Sequence, residues 1–203
     1  PFTGTEHYGV DGTEARWRTG YRPSNRSSDE SGIDLDYLTW RRKRDSWRPI
    51  HMIPASRWLE DSTRQSALMR DWPITRIPHV IDEATFTPMT REQARQEMSV
   101  PKGIPVITFL ASAGIRDRRK GFDLLVEALP NVVEAVGPVT VLVVGPVEHI
   151  SELQGVSFVS TGPLTSNGDL RLAYGAADVV AVPSREDNMP LTAMEAQTCG
   201  RAV

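Results

Sequence analysis

Three short runs constrain this chain most: residues 106–111, 139–144 and 179–182 are almost wholly Val, Ile, Leu, Phe and Ala, without polar and apolar positions alternating. A strand with one wet face alternates with a period of two, whereas a strand covered on both faces need not. β-branched runs of this length, bounded by Gly or Pro, therefore predict buried strands of a parallel sheet. Between the first two, Leu124, Leu125, Ala128, Leu129 and Val132 recur at helical spacing and predict a helix over 122–136 with its apolar stripe in the core. A short strand at 156–159, a turn at 162–164 and a helix at 169–175 follow. From Val106 onward the elements thus alternate as in α/β proteins, and right-handed crossovers bring every strand end to one crevice.

The loop that leaves the last run carries most of the chemistry. Residues 183–200 join a strand's carboxyl end, the carboxylates Glu186, Asp187 and Glu195, and a helix start. Pro190 suits the first helical position and Gly200 the residue past the helix end, which predicts a helix over 190–199. Its free amides and positive dipole end would face the crevice, where a phosphate-bearing ligand is favoured. The loop after the first run, 112–121, combines small residues with Arg116, Arg118, Arg119 and Lys120. Such cations can neutralise a diphosphate; composition alone equally allows a solvated charged loop. Gly145-Pro146 ends the middle strand, where a glycine admits a ligand or backbone closely. There is no G-x-G-x-x-G at a helix start and no G-x-x-x-x-G-K-[ST] loop, which disfavours nicotinamide cofactors and a P-loop nucleotidase.

Upstream, residues 1–46 are rich in Gly, Ser, Thr, Asp and Arg with scattered aromatics, and read as loop-dominated or weakly ordered. A helix over 37–47 would carry a basic face with aromatics, either a solvated face or one that meets an anionic lipid or acceptor. His7 is a candidate catalytic group or simply a loop residue. Short strands are expected at 50–54 and 74–78, and a helix capped by Ser56 over 57–69, with Trp58, Leu59 and Leu68 inward. Residues 79–82 leave the second strand end on the crevice side, and a surface helix follows at 91–98.

A net charge of −3 and a pI near 5.8 argue against nucleic acid as partner and toward a small ligand. The single Cys199 allows no intramolecular disulfide framework and no thiolate-pair zinc site, and reads as a small buried apolar residue. No apolar stretch approaches the ~20 residues of a membrane span, and no signal peptide is visible, so a cytoplasmic setting is expected. The chain opens on Pro1 without Met and stops at Val203 as an apolar strand begins, which reads as a fragment.

Two motifs, Arg119-Lys120-Gly121-Phe122-Asp123-Leu124-Leu125 with its continuation to Leu129, and Ala177-Asp178-Val179 through Glu195-Ala196, resemble glycosyltransferase family 4, the retaining group 1 transferases of GT-B fold. Pro54-Ala55-Ser56, Ile77-Pro78-His79 and Phe86-Thr87-Pro88 agree in order and spacing. Residues 3–8 and 19–23 look like an insert that bears cysteines in some members and has none here. The resemblance implies α/β fold: a Rossmann-like parallel sheet with flanking helices, one domain of a GT-B fold, truncated at its end. Residues 1–49 would belong to or lead from the N-terminal acceptor domain, and 50–203 would form the nucleotide-sugar (donor) domain.

The family's two motif carboxylates stand eight positions apart, which selects Asp187 and Glu195 over Glu186. By resemblance Asp187 would contact hydroxyls of the transferred sugar near the reacting carbon, although it is shorter than the usual glutamate. Glu195 would accept from the ribose hydroxyls. Lys120 would offset charge on the departing nucleoside diphosphate. Its partner arginine has Arg116 as first candidate and Arg119 as second, since many members carry it where this chain has Gly114. The backbone around Asn188, Met189 and Leu191, with Thr192, would meet the diphosphate or sugar. His79-Val80 replaces a common Asn-Gly, and a β-branched residue tolerates a left-handed backbone poorly.

The implied activity is hexosyl transfer from a nucleoside-diphosphate sugar to a glycan or lipid-linked acceptor in polysaccharide biosynthesis. It needs no metal and no cofactor, the missing N-terminal domain would complete it, and the isolated fragment is expected to be inactive. A catalytically silent nucleotide-sugar-binding module and a GT-B sugar-nucleotide epimerase are the alternatives.

Overall fold

In the computed structural model, which describes residues 2–5, 16–147 and 149–203, the chain divides into two units, Pro1–His79 and Val80–Val203. Residues 50–79 are tied into the first of these units. Met52 bridges Ile74 in parallel, the Ala67 amide bonds to the Trp17 carbonyl at 2.8 Å, and the Ser66 hydroxyl donates to the Phe2 carbonyl at 2.7 Å.

The first unit contains α1 (Arg16–Thr19), α2 (Leu35–Ser46) and α3 (Arg57–Gln65). The scattered aromatics that made its start look weakly ordered are its core: Phe2, Trp17, Tyr21 and Trp40 are buried together. Phe2 and Trp17 pack edge to face, with ring centroids 4.7 Å apart. Aromatic packing of this kind needs no sequence period, only convergence of large rings. Arg16 is buried beside them and donates to Asp34 at 2.6 Å. Burial pushes the Asp34 carboxyl up, but bonds from Arg16 and the Tyr37 amide outweigh it and hold it below the usual range. That carboxylate caps α2, as Ser56 caps α3. The latter helix stops at Gln65 instead of 69 because Ser66 turns extended. Trp58 is 42% exposed with its ring edge to face against Phe2 at 5.6 Å, and Ser62 and Thr63 are the buried residues of α3. The strands expected at 50–54 and 74–78 reduce to the one bridge. His7 and residues 6–8 lie outside the described residues.

The second unit runs α4 (Arg91–Glu97), β1 (Val106–Leu110), α5 (Phe122–Val136), β2 (Val139–Val144), β3 (Val156–Gly162), α6 (Asn167–Ala176), β4 (Val179–Ala181) and α7 (Leu191–Thr198). Its four strands are parallel and ordered β3-β2-β1-β4. Both faces are covered, as the unbroken apolar runs require. Ile107, Phe109, Val139, Val141 and Val143 pack with Phe122, Leu125 and Leu129 of α5 on one side. Val106, Leu142 and Val144 pack with Ala94 of α4 and with Ala173 and Ala176 of α6 on the other. Burying a side chain such as Leu129 contributes about 1.5–3 kcal/mol. Arg95 and the Val106 amide converge on Asp178 at 2.6 and 2.7 Å, which fixes the entry to β1 and β4. Ala202 begins to pair with Val179 on the outer side of β4.

The strand order carries a positional consequence. From β1 the chain steps outward to β2 and β3, then returns to lay β4 on the other side of β1. The direction of winding reverses between β1 and β4, and α/β sheets bind ligands outside the carboxyl ends of the strands at such a point. The loops that open there are 111–121 and 182–190, those that carry the cations and the carboxylates.

Candidate functional site

The loop after β1 is shaped by backbone contacts. A turn returns the Gly114 amide to the Ala111 carbonyl at 2.9 Å, and Gly114, with φ +92, sits against the Pro146 carbonyl. A Cβ on Gly145 would stand 2.1 Å from the Ala111 carbonyl oxygen, so the ends of β1 and β2 touch through a glycine. Residues Arg118–Lys120 form a single 3-10 turn, capped by Asp117, which accepts from the Arg119 amide at 3.1 Å. Gly121 follows with φ +72, and a Cβ there would lie 2.1 Å from the Pro183 carbonyl oxygen. Only glycine permits that approach, and it presses the two loops together.

At this junction Lys120 Nζ donates to Asp187 Oδ2 at 2.7 Å. The side chains are 34% and 21% exposed, so the pair faces the crevice with limited solvent. Arg185, two residues earlier, spans the same junction. Its amide donates to the Arg119 carbonyl at 2.8 Å, and its guanidinium to the Arg118 carbonyl at 2.7 Å and to both Asp123 oxygens at 2.8 and 2.6 Å. The Arg185 hydrogen bonds hold the Asp123 carboxyl down at about 2.

The helix that follows begins at Leu191, with Pro190 as its cap and not its first residue: ψ of 110 keeps Pro190 extended. Its carbonyl still accepts from the Ala193 amide at 3.1 Å. A proline cap offers no side-chain oxygen, so none caps the helix start. One turn on, Glu195 is half-buried, and Tyr174 Oη of α6 donates to its Oε2 at 2.5 Å. Burial first, then that bond, drives the Tyr174 phenol far above its ordinary range, so it stays a donor. Tyr174 and Cys199 are buried in one cluster with Phe86, Val180 and Ala196. This rigid floor sets the carboxylate, and its Oε1 is left for other donors.

The remaining candidates are distributed less tightly. Arg116 is exposed on the loop after β1. Arg119 is turned to Asp117, at 3.0 and 2.8 Å. Burial pushes the Asp117 carboxyl up, yet the Arg119 bonds hold it below the usual range. Asn188, Met189 and Thr192 are half-buried and Leu191 is exposed. Val80 is 91% exposed; among described non-glycine residues only Ser99 has positive φ, so Val80 escapes the left-handed backbone. Two contributors are absent from the sequence expectations: Tyr174, readable only as a helix-face aromatic, and Arg185, whose sole signal was its place two residues before Asp187. Among the described residues no three His, Cys, Asp or Glu side chains gather as metal ligands would, and no helix is long and apolar enough to cross a membrane.

Residues 104–203 match the family model described as Glycosyl transferases group 1. Over 138 residues the chain is 33% identical to a D-inositol 3-phosphate glycosyltransferase of Segniliparus rotundus, covering 63% of this chain and 30% of that protein. Over 173 residues it is 34% identical to the protein of that name from Xylanimonas cellulosilytica, covering 75% and 41%. Among solved structures, sucrose-phosphate synthase from Thermosynechococcus elongatus superposes with a TM-score of 0.62 at 20% identity, over 92% of this chain and 46% of that one. Anabaena HepE, solved with UDP and glucose, superposes with a TM-score of 0.58 at 17% identity, over 81% and 45%. At such identities the likeness is one of fold. The chain spans less than half the length of these relatives.

Proposed function

We propose that this chain, whose residues 104–203 match the model of the group 1 glycosyl transferases and whose parallel sheet has the fold of one GT-B domain, is the donor-binding part of a retaining glycosyltransferase. The reaction moves a hexosyl group from a nucleoside-diphosphate sugar to a glycan or lipid-linked acceptor, in polysaccharide biosynthesis. The observation that carries the reading is the Lys120–Asp187 contact at 2.7 Å, where the sheet reverses its winding, with Glu195 on α7, the helix that follows.

Each group has a task suited to its chemistry. Lys120 meets the diphosphate as a compact charge and offsets the negative charge that grows as the nucleoside diphosphate departs. Asp187 receives hydroxyls of the transferred sugar. Glu195 accepts from the ribose, and the amides at the start of α7 add donors to the diphosphate or sugar. Arg116 is the second cation for the diphosphate. The acceptor side belongs to a further domain, to which residues 1–49 lead, and residues 50–203 form the donor domain. We place the protein in the cytoplasm, at the inner face of the membrane. Five cations at 41–44 and 48 and the exposed Leu35, Leu38 and Trp47 support contact of α2 with an anionic surface.

Binding titrations of UDP, ADP and GDP test the reading. Glu195→Ala should weaken the preferred nucleoside diphosphate ~10–100-fold, the worth of hydrogen bonds to a charged group, and leave inorganic pyrophosphate unchanged. Unaltered nucleotide affinity in that variant would sink the ribose role.

A further inference from the structure

We propose that Arg185 is the positioning residue that sets Lys120 and Asp187 at their working separation; the proposal rests on the donor-site reading above. Lys120 sits between two backbone anchors. On one side the Arg118 and Arg119 carbonyls accept from the Arg185 guanidinium and amide, at 2.7 and 2.8 Å. On the other side Gly121 lies against the Pro183 carbonyl. Asp187 is two residues along from Arg185 in the same loop. One side chain therefore holds the main chain before the lysine to the main chain before the carboxylate.

The chemistry of the clamp explains the residue type. A guanidinium is a planar fork, able to grip both Asp123 oxygens at 2.8 and 2.6 Å while a further N–H reaches a carbonyl. A lysine ammonium has no such fork. Asp123 lies in the first turn of α5, where the helix dipole favours a carboxylate. The clamp thus ties three things at once: the 3-10 turn, the start of α5, and the loop after β4. Neither Arg185 nor Asp123 is buried, with side chains 28% and 58% exposed, so the pair contributes little to overall stability. Its effect is on where two loops sit, and Arg185 acts through Lys120, not on the ligand.

The test is a double-mutant cycle in the intact protein, read as the dissociation constant of the nucleoside diphosphate that binds best among UDP, ADP and GDP. Arg185→Ala and Arg185→Lys should each weaken binding about tenfold with the melting temperature nearly unmoved, and Asp123→Asn should weaken it less because the carbonyl bonds persist. In a Lys120→Ala background, Arg185→Ala should cost nothing further, a non-additivity that general loosening of the fold would not produce. Unchanged affinity in Arg185→Ala, or full additivity with Lys120→Ala, overturns the proposal and leaves the donor site standing. If the unaltered protein binds no nucleoside diphosphate at all, the donor-site reading falls and this proposal falls with it.

Discussion

Lys120 and Asp187 are 67 positions apart in sequence and 2.7 Å apart in space, joined at the reversal of winding between β1 and β4. Sheet topology brings their loops to one end, and Gly121 lets the loops touch. The ion pair is the outcome of both, and it stands at the sheet end where the proposed donor would lie.

Removing either partner should separate activity from stability. Partly exposed pairs contribute about 0–1 kcal/mol, so Lys120→Ala and Asp187→Asn should each lower the melting temperature by less than ~4 °C. In a protein that also carries the acceptor domain, turnover should fall ~10²–10³-fold for Lys120→Ala, as when one transition-state donor is lost. Steady-state kinetics beside a thermal melt check both. A large drop in melting temperature with unchanged turnover would make the pair structural.

Tyr174→Phe deletes the hydroxyl that donates to Glu195 and also bonds with the Thr192 side chain. The lost hydrogen bond should cost ~1 kcal/mol of stability, and freed Glu195 should grip the ribose less well, so nucleoside diphosphate affinity falls several-fold. Pyrophosphate, which has no ribose, should bind as before. Equal losses for both ligands would place Tyr174 in the diphosphate site instead.

What the sequence made legible follows from how local each signal is. The helix Phe122–Val136 and strand Val139–Val144 were readable to the residue because burial pattern and flanking glycines agree. The resemblance named Lys120, Asp187 and Glu195, and the structure brings the first two together at 2.7 Å. The aromatic core of Phe2, Trp17, Tyr21 and Trp40 was not legible, since its contacts are long-range and aperiodic. Nor was the Arg185 clamp: a cation in a polar loop has the same signature whether it is solvated or binds two carbonyls and a carboxylate. Tyr174 was hidden for the opposite reason, as buried helix aromatics are ordinarily packing residues alone.

Gly121→Ala should damage the site more than its chemistry suggests. A left-handed φ of +72 costs a non-glycine residue ~1 kcal/mol or more, and the new Cβ would meet backbone at 2.1 Å, so the loops must part. Gly137→Ala is the control, with φ +81 and nothing within 4 Å of the added atom. Both variants should melt lower, but only Gly121→Ala should lose nucleoside diphosphate affinity. Equal affinity losses would show that the Gly121 contact with Pro183 is not what aligns the site.

The Asp123 carboxyl gives the clamp a pH signature. Its folded value is depressed from 3.8 to about 2 by the Arg185 hydrogen bonds. A depressed folded value means that the contribution is fully present above the unfolded value of 3.8, and is lost as pH falls from there through about 2. Raising the pH from neutral should leave it unchanged, because the same pairing holds the Arg185 guanidinium even more firmly protonated. Carbon-detected NMR of the Asp123 carboxyl should therefore show a midpoint near 2, moving back toward the ordinary range in Arg185→Ala. A midpoint near 3.8 in the unaltered protein would mean that the fork is open in solution, and that the loops are held by the Arg185 amide, the Lys120–Asp187 pair and the Gly121–Pro183 contact.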